Sequence, residues 1–155
     1  MKRFISILCI FGMLFTLQST FAFAESAHIT KEDLGNGYYT ITVIDDISSS
    51  VCLLASDSTV TKSKTTYFKN SNNETLWYVR VTGTFTYNGT TSKCTASTPS
   101  AKSYDSAWKI SDVSGSKTGN TAKASAVGTL YQLGAVIQTV PKTVTLTCSP
   151  AGKFS

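Results

Sequence analysis

The chain is poor in the residues that most catalytic chemistry needs. His28 is the only histidine among 155 residues. A Ser-His-Asp or Cys-His nucleophile needs a histidine held firmly beside it, and His28 stands in a stretch without strand or helix pattern. One histidine and widely spaced cysteines also argue against a zinc-type ligand set. No C-x-x-C, no phosphate-binding glycine loop and no G-x-S-x-G motif occurs. Acids number only nine. Asp45 and Asp46 are adjacent, so on a strand they would point to opposite faces and not converge on one substrate; they read as a solvated turn. Glu74, Asp105 and Asp112 are scattered and offer no carboxylate pair for glycoside hydrolysis. These absences predict a protein that is not an enzyme and holds no cofactor and no metal.

Long apolar runs are also missing, with one exception. Lys2 and Arg3 precede an apolar run from Phe4 to Leu17, and Ala22 and Ala24 complete an A-x-A signature. This pattern predicts a signal peptide over residues 1–24, cleaved after Ala24. The run is short for a membrane span. Leu8 before Cys9 is too large for a lipoprotein anchor. The expected product is secreted, extracellular and without a membrane span. Residues 25–155 keep twelve bases against nine acids, a net +3. The lysines are spread singly, so no cluster marks a nucleic-acid patch, and no nucleic-acid partner is expected.

No window shows a 3.6-residue apolar period. Strand signals recur instead, at 38–44, 65–69, 76–87, 90–97, 107–113, 121–131 and 136–148. Turn signals separate them, at Asn88-Gly89, at "SGSKTGN" and at Leu133-Gly134. Strands with no helix between them predict an all-β fold, an antiparallel two-sheet sandwich of about seven strands (Ig-like). A small β-barrel is the alternative. Residues 25–58 read as a weakly ordered N-terminal arm with one strand at 38–44, and residues 59–155 as the sandwich domain. Pro141 requires the last strand to be an edge strand or bulged there.

The stretch "TLWYVRVTGTFTYNGTTSKC" carries the clearest alternation. Trp77, Val79, Val81, Phe85 and Tyr87 share one face, which reads as core, with Gly83 as a bulge or a close approach. Tyr78, Arg80, Thr82, Thr84 and Thr86 share the wet face. Trp108 shares its face with Ile110 and then Asp112, so it is expected to be at least partly exposed. Tyr78, Arg80, Tyr104 and Trp108 are therefore the candidate ligand platform.

Three cysteines remain after cleavage: Cys52, Cys94 and Cys148. In an exported chain two should pair. Loop length does not discriminate among the three pairings. Cys94 and Cys148 end well-patterned strands, which predicts a disulfide between them and leaves Cys52 over.

"LWYVRVTGTFTYNGTTSKC", "SYDSAWKISD" and "KTVTLTCSPAGKFS" together make residues 60–155 resemble a family of small secreted proteins of unknown function from Gram-positive bacteria. The resemblance implies export and a β fold, and implies no site. The expected function is a secreted non-enzymatic β-domain acting through its surface at or near the bacterial envelope, with a cell-wall polymer or glycan as partner. Two alternatives stay open, a carbohydrate-binding module and a secreted antimicrobial or competition protein.

Overall fold

The computed structural model describes residues 29–50 and 58–155, with backbone alone at 46–50. The expected signal segment, Cys9, His28 and Cys52 lie outside the described residues. Within them there are eight strands and no helix. β1 (Thr30–Gly35), β2 (Tyr38–Ser50), β3 (Ser58–Lys69), β4 (Thr75–Tyr87) and β5 (Ser92–Ser103) form a five-stranded antiparallel sheet in that order. β6 (Trp108–Thr118), β7 (Thr121–Gln132) and β8 (Ala135–Thr147) form a second, three-stranded sheet. The two sheets face each other as a sandwich and do not close into a barrel. Both are plain meanders, so the likeness to an immunoglobulin domain lies in the two packed sheets and not in a Greek-key strand order.

Residues 29–50 hold two strands, β1 in addition to the one expected at 38–44. β1 and β2 pair with each other and, through β2, with β3. β1 (TKEDLG) has no apolar alternation. Its ladder and turn hold it instead: Gly35, Asn36 and Gly37 all adopt positive φ, and Asp33 Oδ1 accepts the Gly35 N–H at 2.8 Å. Asp45 likewise lies within β2, opposite Ser63, rather than in a turn.

The core follows the alternation of β4. Trp77, Val79, Val81 and Phe85 are all at most 1% exposed. Each large side chain so buried contributes roughly 1.5–3 kcal/mol. The opposing sheet supplies small residues, Ala122, Ala124 and Ala126 from β7, with Val144 and Leu146 from β8. Gly83 fits this pairing: a Cβ there would stand 2.4 Å from the Phe85 ring and 3.0 Å from the Ala122 methyl.

Two turns differ in kind. Leu133 and Gly134 are both at positive φ, a two-residue connection between β7 and β8. Asn88-Gly89 is not such a turn. Only Gly89 of the two is at positive φ, the loop runs from Asn88 to Thr91, and Asn88 Oδ1 accepts the N–H groups of Thr90 and Thr91 at 3.1 and 2.9 Å. The asparagine side chain replaces the backbone as the organiser. "SGSKTGN" is mostly strand, with β6 continuing to Thr118 before a turn at Gly119 and Asn120. β8 is an edge strand, as Pro141 requires.

The expected disulfide is not formed: Cys94 and Cys148 are free and buried. Their backbone N–H groups donate to consecutive carbonyls, Cys94 to Gly119 and Cys148 to Asn120, so both flank one turn. Each sulfur turns to a carbonyl of its own strand end, Cys94 Sγ to Ala96 O at 3.2 Å and Cys148 Sγ to Ser149 O at 3.4 Å. Burial pushes both thiols above their ordinary pKa. The tail beyond Cys148 folds back, with Phe154 bridging to Cys148 and setting its ring edge-on to Phe85 at 5.3 Å.

Candidate functional site

The outer face of the five-stranded sheet carries a row of aromatic and cationic side chains. Register places Lys31, Ile41, Tyr67, Tyr78 and Lys102 opposite one another across β1 to β5. Neighbouring strands lie about 4.8 Å apart, so the row spans about 19 Å. Alternation sends all five side chains outward, because Thr40, Phe68 and Trp77 beside them point into the sandwich.

Three tyrosines form the centre of the row. Tyr67 and Tyr78 have ring centroids 6.1 Å apart at 51°. Tyr104, just past β5, follows at 5.9 Å and 36° from Tyr78. Tyr104 is 59% exposed, while Tyr67 and Tyr78 are half-buried.

Cations sit against these rings. Arg80 lies 5.4 Å from the Tyr78 centroid, and Lys102 Nζ 5.3 Å from the Tyr104 centroid. Such contacts add roughly 0.5–1 kcal/mol at exposed sites. Arg80 Nε also donates to Thr65 Oγ1 at 2.8 Å, which fixes the guanidinium and buries Thr65 beneath it. The hydroxyls of Tyr78 and Ser100 stand 3.4 Å apart. At the far side Lys31 Nζ covers the Tyr39 ring at 4.2 Å, and the Tyr39 hydroxyl donates to Asn73 Oδ1 at 2.7 Å.

Of the four platform residues expected from sequence, the structure brings together Tyr78, Arg80 and Tyr104. Trp108 does not belong with them. It is 2% exposed and packs 5.0 Å from Phe68 and 6.2 Å from Trp77. The polar residues that follow Trp108 do not continue its face: a bulge between Ser111 and Ser114, with Asp112 at positive φ, breaks the alternation of β6. Beyond it β6 is exposed, while its first residue is core.

Tyr67, Lys102 and Lys31 were not identified from sequence. Tyr67 stands beside the core residue Phe68, and that neighbour alone puts it on the outer face. Its place next to Tyr78 depends on strand register, which no short window carries. Among the described residues no group of three or more His, Cys, Asp and Glu is arranged to hold a metal ion. No family model, no curated protein and no solved structure matches this chain.

Proposed function

We propose that this protein is a secreted, non-enzymatic β-domain that binds an extended glycan or other cell-wall polymer along the tyrosine row at the bacterial envelope. The carrying observation is the adjacency of Tyr67, Tyr78 and Tyr104 with Arg80 and Lys102 at their ring faces. A sugar ring presents C–H groups on its faces and hydroxyls at its edge. Tyrosine faces take the first, and guanidinium, ammonium and hydroxyl groups take the second. A row about 19 Å wide suits several linked residues of a chain rather than one small molecule. The cations favour polymers with carboxylate or phosphate groups. Purified wall polysaccharides and a glycan array, probed with the parent and with Tyr104→Ala, test the reading. Binding that weakens at least tenfold in Tyr104→Ala, with an unchanged melting curve, supports it. Equal binding by both, or none by the parent, refutes it.

A second reading, a membrane-active competition protein, has its own support. The β7–β8 hairpin tip exposes Leu133 fully, and Val136 and Ile137 at 56% and 55%. No charged residue occurs between Lys123 and Lys142. Binding to anionic vesicles that Leu133→Asp abolishes would favour this reading over the first.

A further inference from the structure

The inner face of the five-stranded sheet is not apolar throughout. β3 turns Val60, Lys62, Lys64, Thr66 and Phe68 inward, by the same alternation that buries Phe68. A sandwich interior ordinarily fills such positions with apolar side chains. The three-stranded sheet is narrower than the five-stranded one, and its edge strand β8 lies over β3 and β4. An open cleft of about 330 Å³ results, with β1, β2 and β3 on one side and β8 on the other. Glu32, Thr42, Lys64, Thr66, Lys142 and Thr145 line it.

The polar groups of this cleft are prepared in a particular way. Lys142 Nζ donates to Glu32 Oε2 at 2.9 Å, an ion pair that ties β8 to β1. An ammonium has three N–H groups, so two more remain available. Thr42 Oγ1 and Thr66 Oγ1 are 2.8 Å apart. One hydroxyl donates within that pair and the other keeps its hydrogen for an outside acceptor. Lys64 has neither an ion-pair nor a hydrogen-bond partner among the described residues. Burial alone acts on it, lowering its pKa from the ordinary value. A partly desolvated cation without a partner is unfavourable to the fold, and a methionine of similar length would avoid the penalty. A group that is costly to the fold and aimed into a cleft of donors is suited to an incoming anion.

We propose that this cleft is an oxyanion-binding site, in which Lys64 and Lys142 with the Thr42–Thr66 hydroxyl pair take up a carboxylate or phosphate group. Two cations against Glu32 leave the cleft with a net positive charge. The site lies on the opposite face of the sheet from the tyrosine row and uses none of its residues, so either can fail without the other. Carboxylate would come from a uronic-acid sugar and phosphate from a phosphodiester polymer or the free ion.

The test is calorimetric titration of the full chain with sodium phosphate and, separately, with glucuronate, at physiological ionic strength. Saturable binding of phosphate alone, of glucuronate alone or of both supports the site and identifies the group it takes. Lys64→Gln should weaken that binding at least tenfold while the fold, followed by circular dichroism, is retained or stabilised. Glu32→Gln should strengthen it severalfold, because the competing carboxylate is gone and Lys142 is released. Binding of neither anion, equal binding by Lys64→Gln, or weaker binding by Glu32→Gln would overturn the proposal.

Discussion

Trp77 and Trp108 stand with ring centroids 6.2 Å apart and planes 33° from parallel, one from each sheet. Phe68 stacks on Trp77 at 5.5 Å, and Tyr38 stacks on Phe68 at 5.3 Å. These four rings form one aromatic cluster at the tyrosine end of the sandwich. The tyrosine row outside is carried by the same strands that anchor this cluster inside.

Both tryptophans should therefore be equally costly to remove. Trp77→Ala and Trp108→Ala each leave a large cavity among packed rings, and each should lose about 3–5 kcal/mol. Denaturant melts with a common slope measure this. A loss at Trp108 below about 1 kcal/mol, typical of a surface change, would mean that its ring is not held in the core. Trp108→Ala is accordingly a poor probe of ligand binding, and Tyr104→Ala the better one.

Gly128 supports the same cluster by having no side chain. A Cβ there would stand 2.6 Å from Trp77 Cε2 and 3.0 Å from its Nε1, an atom that has no hydrogen-bond partner among the described residues. Gly128→Ala should cost about 1–3 kcal/mol, the range for overpacking a filled core. A melt that shows no loss would indicate that the indole can shift aside.

Alternation made half of this architecture readable. Trp77, Val79, Val81 and Phe85 point inward and Tyr78 and Arg80 outward because side chains on a strand must change sides at each residue. Register was out of reach, since Tyr67 meets Tyr78 only through the pairing of β3 with β4 across the turn that joins them. β1 carries no sequence pattern, because its residues are all exposed and its stability comes from a ladder and a glycine turn. The inward lysines of β3 were hidden for a related reason: "TKSKTT" reads as solvated, and only the packing of the sheets shows its lysines facing the interior.

Cys94 and Cys148 should be unreactive in the folded protein. They are 3% and 0% exposed, and burial holds both thiols protonated beyond their usual range. The thiolate is the nucleophile, so both access and ionisation oppose attack. Treatment with iodoacetamide, followed by peptide mass mapping, should leave both unlabelled in buffer and label both in denaturant. Rapid labelling of either in buffer would show that the end of the sandwich opens. Their raised pKa also makes stability fall with pH: the contribution is full below the unfolded thiol pKa and is lost as pH rises toward the folded values.

Lys64 acts in the opposite sense. Its folded pKa is depressed below the ordinary value of 10.5 by burial. Below the depressed value both folded and unfolded chains carry the proton, and the burial penalty is fully present. Between that value and 10.5 the unfolded chain binds more protons than the folded one, so stability rises with pH across this window. Lys64→Met should remove the rise and stabilise the protein at neutral pH, where the parent carries the full penalty. Its methylenes keep the contacts of the lysine stem. Because the ammonium is partly solvated, the gain at neutral pH should be modest, about 1 kcal/mol or less. Melting curves of parent and variant, taken from neutral pH to just above 10.5, give both quantities. The Cys94 and Cys148 thiols slope the other way in both proteins, so only the difference between the two curves reports on Lys64. A difference that stays constant across the window, or a variant less stable at neutral pH, would show that the ammonium is not the strained group in the cleft.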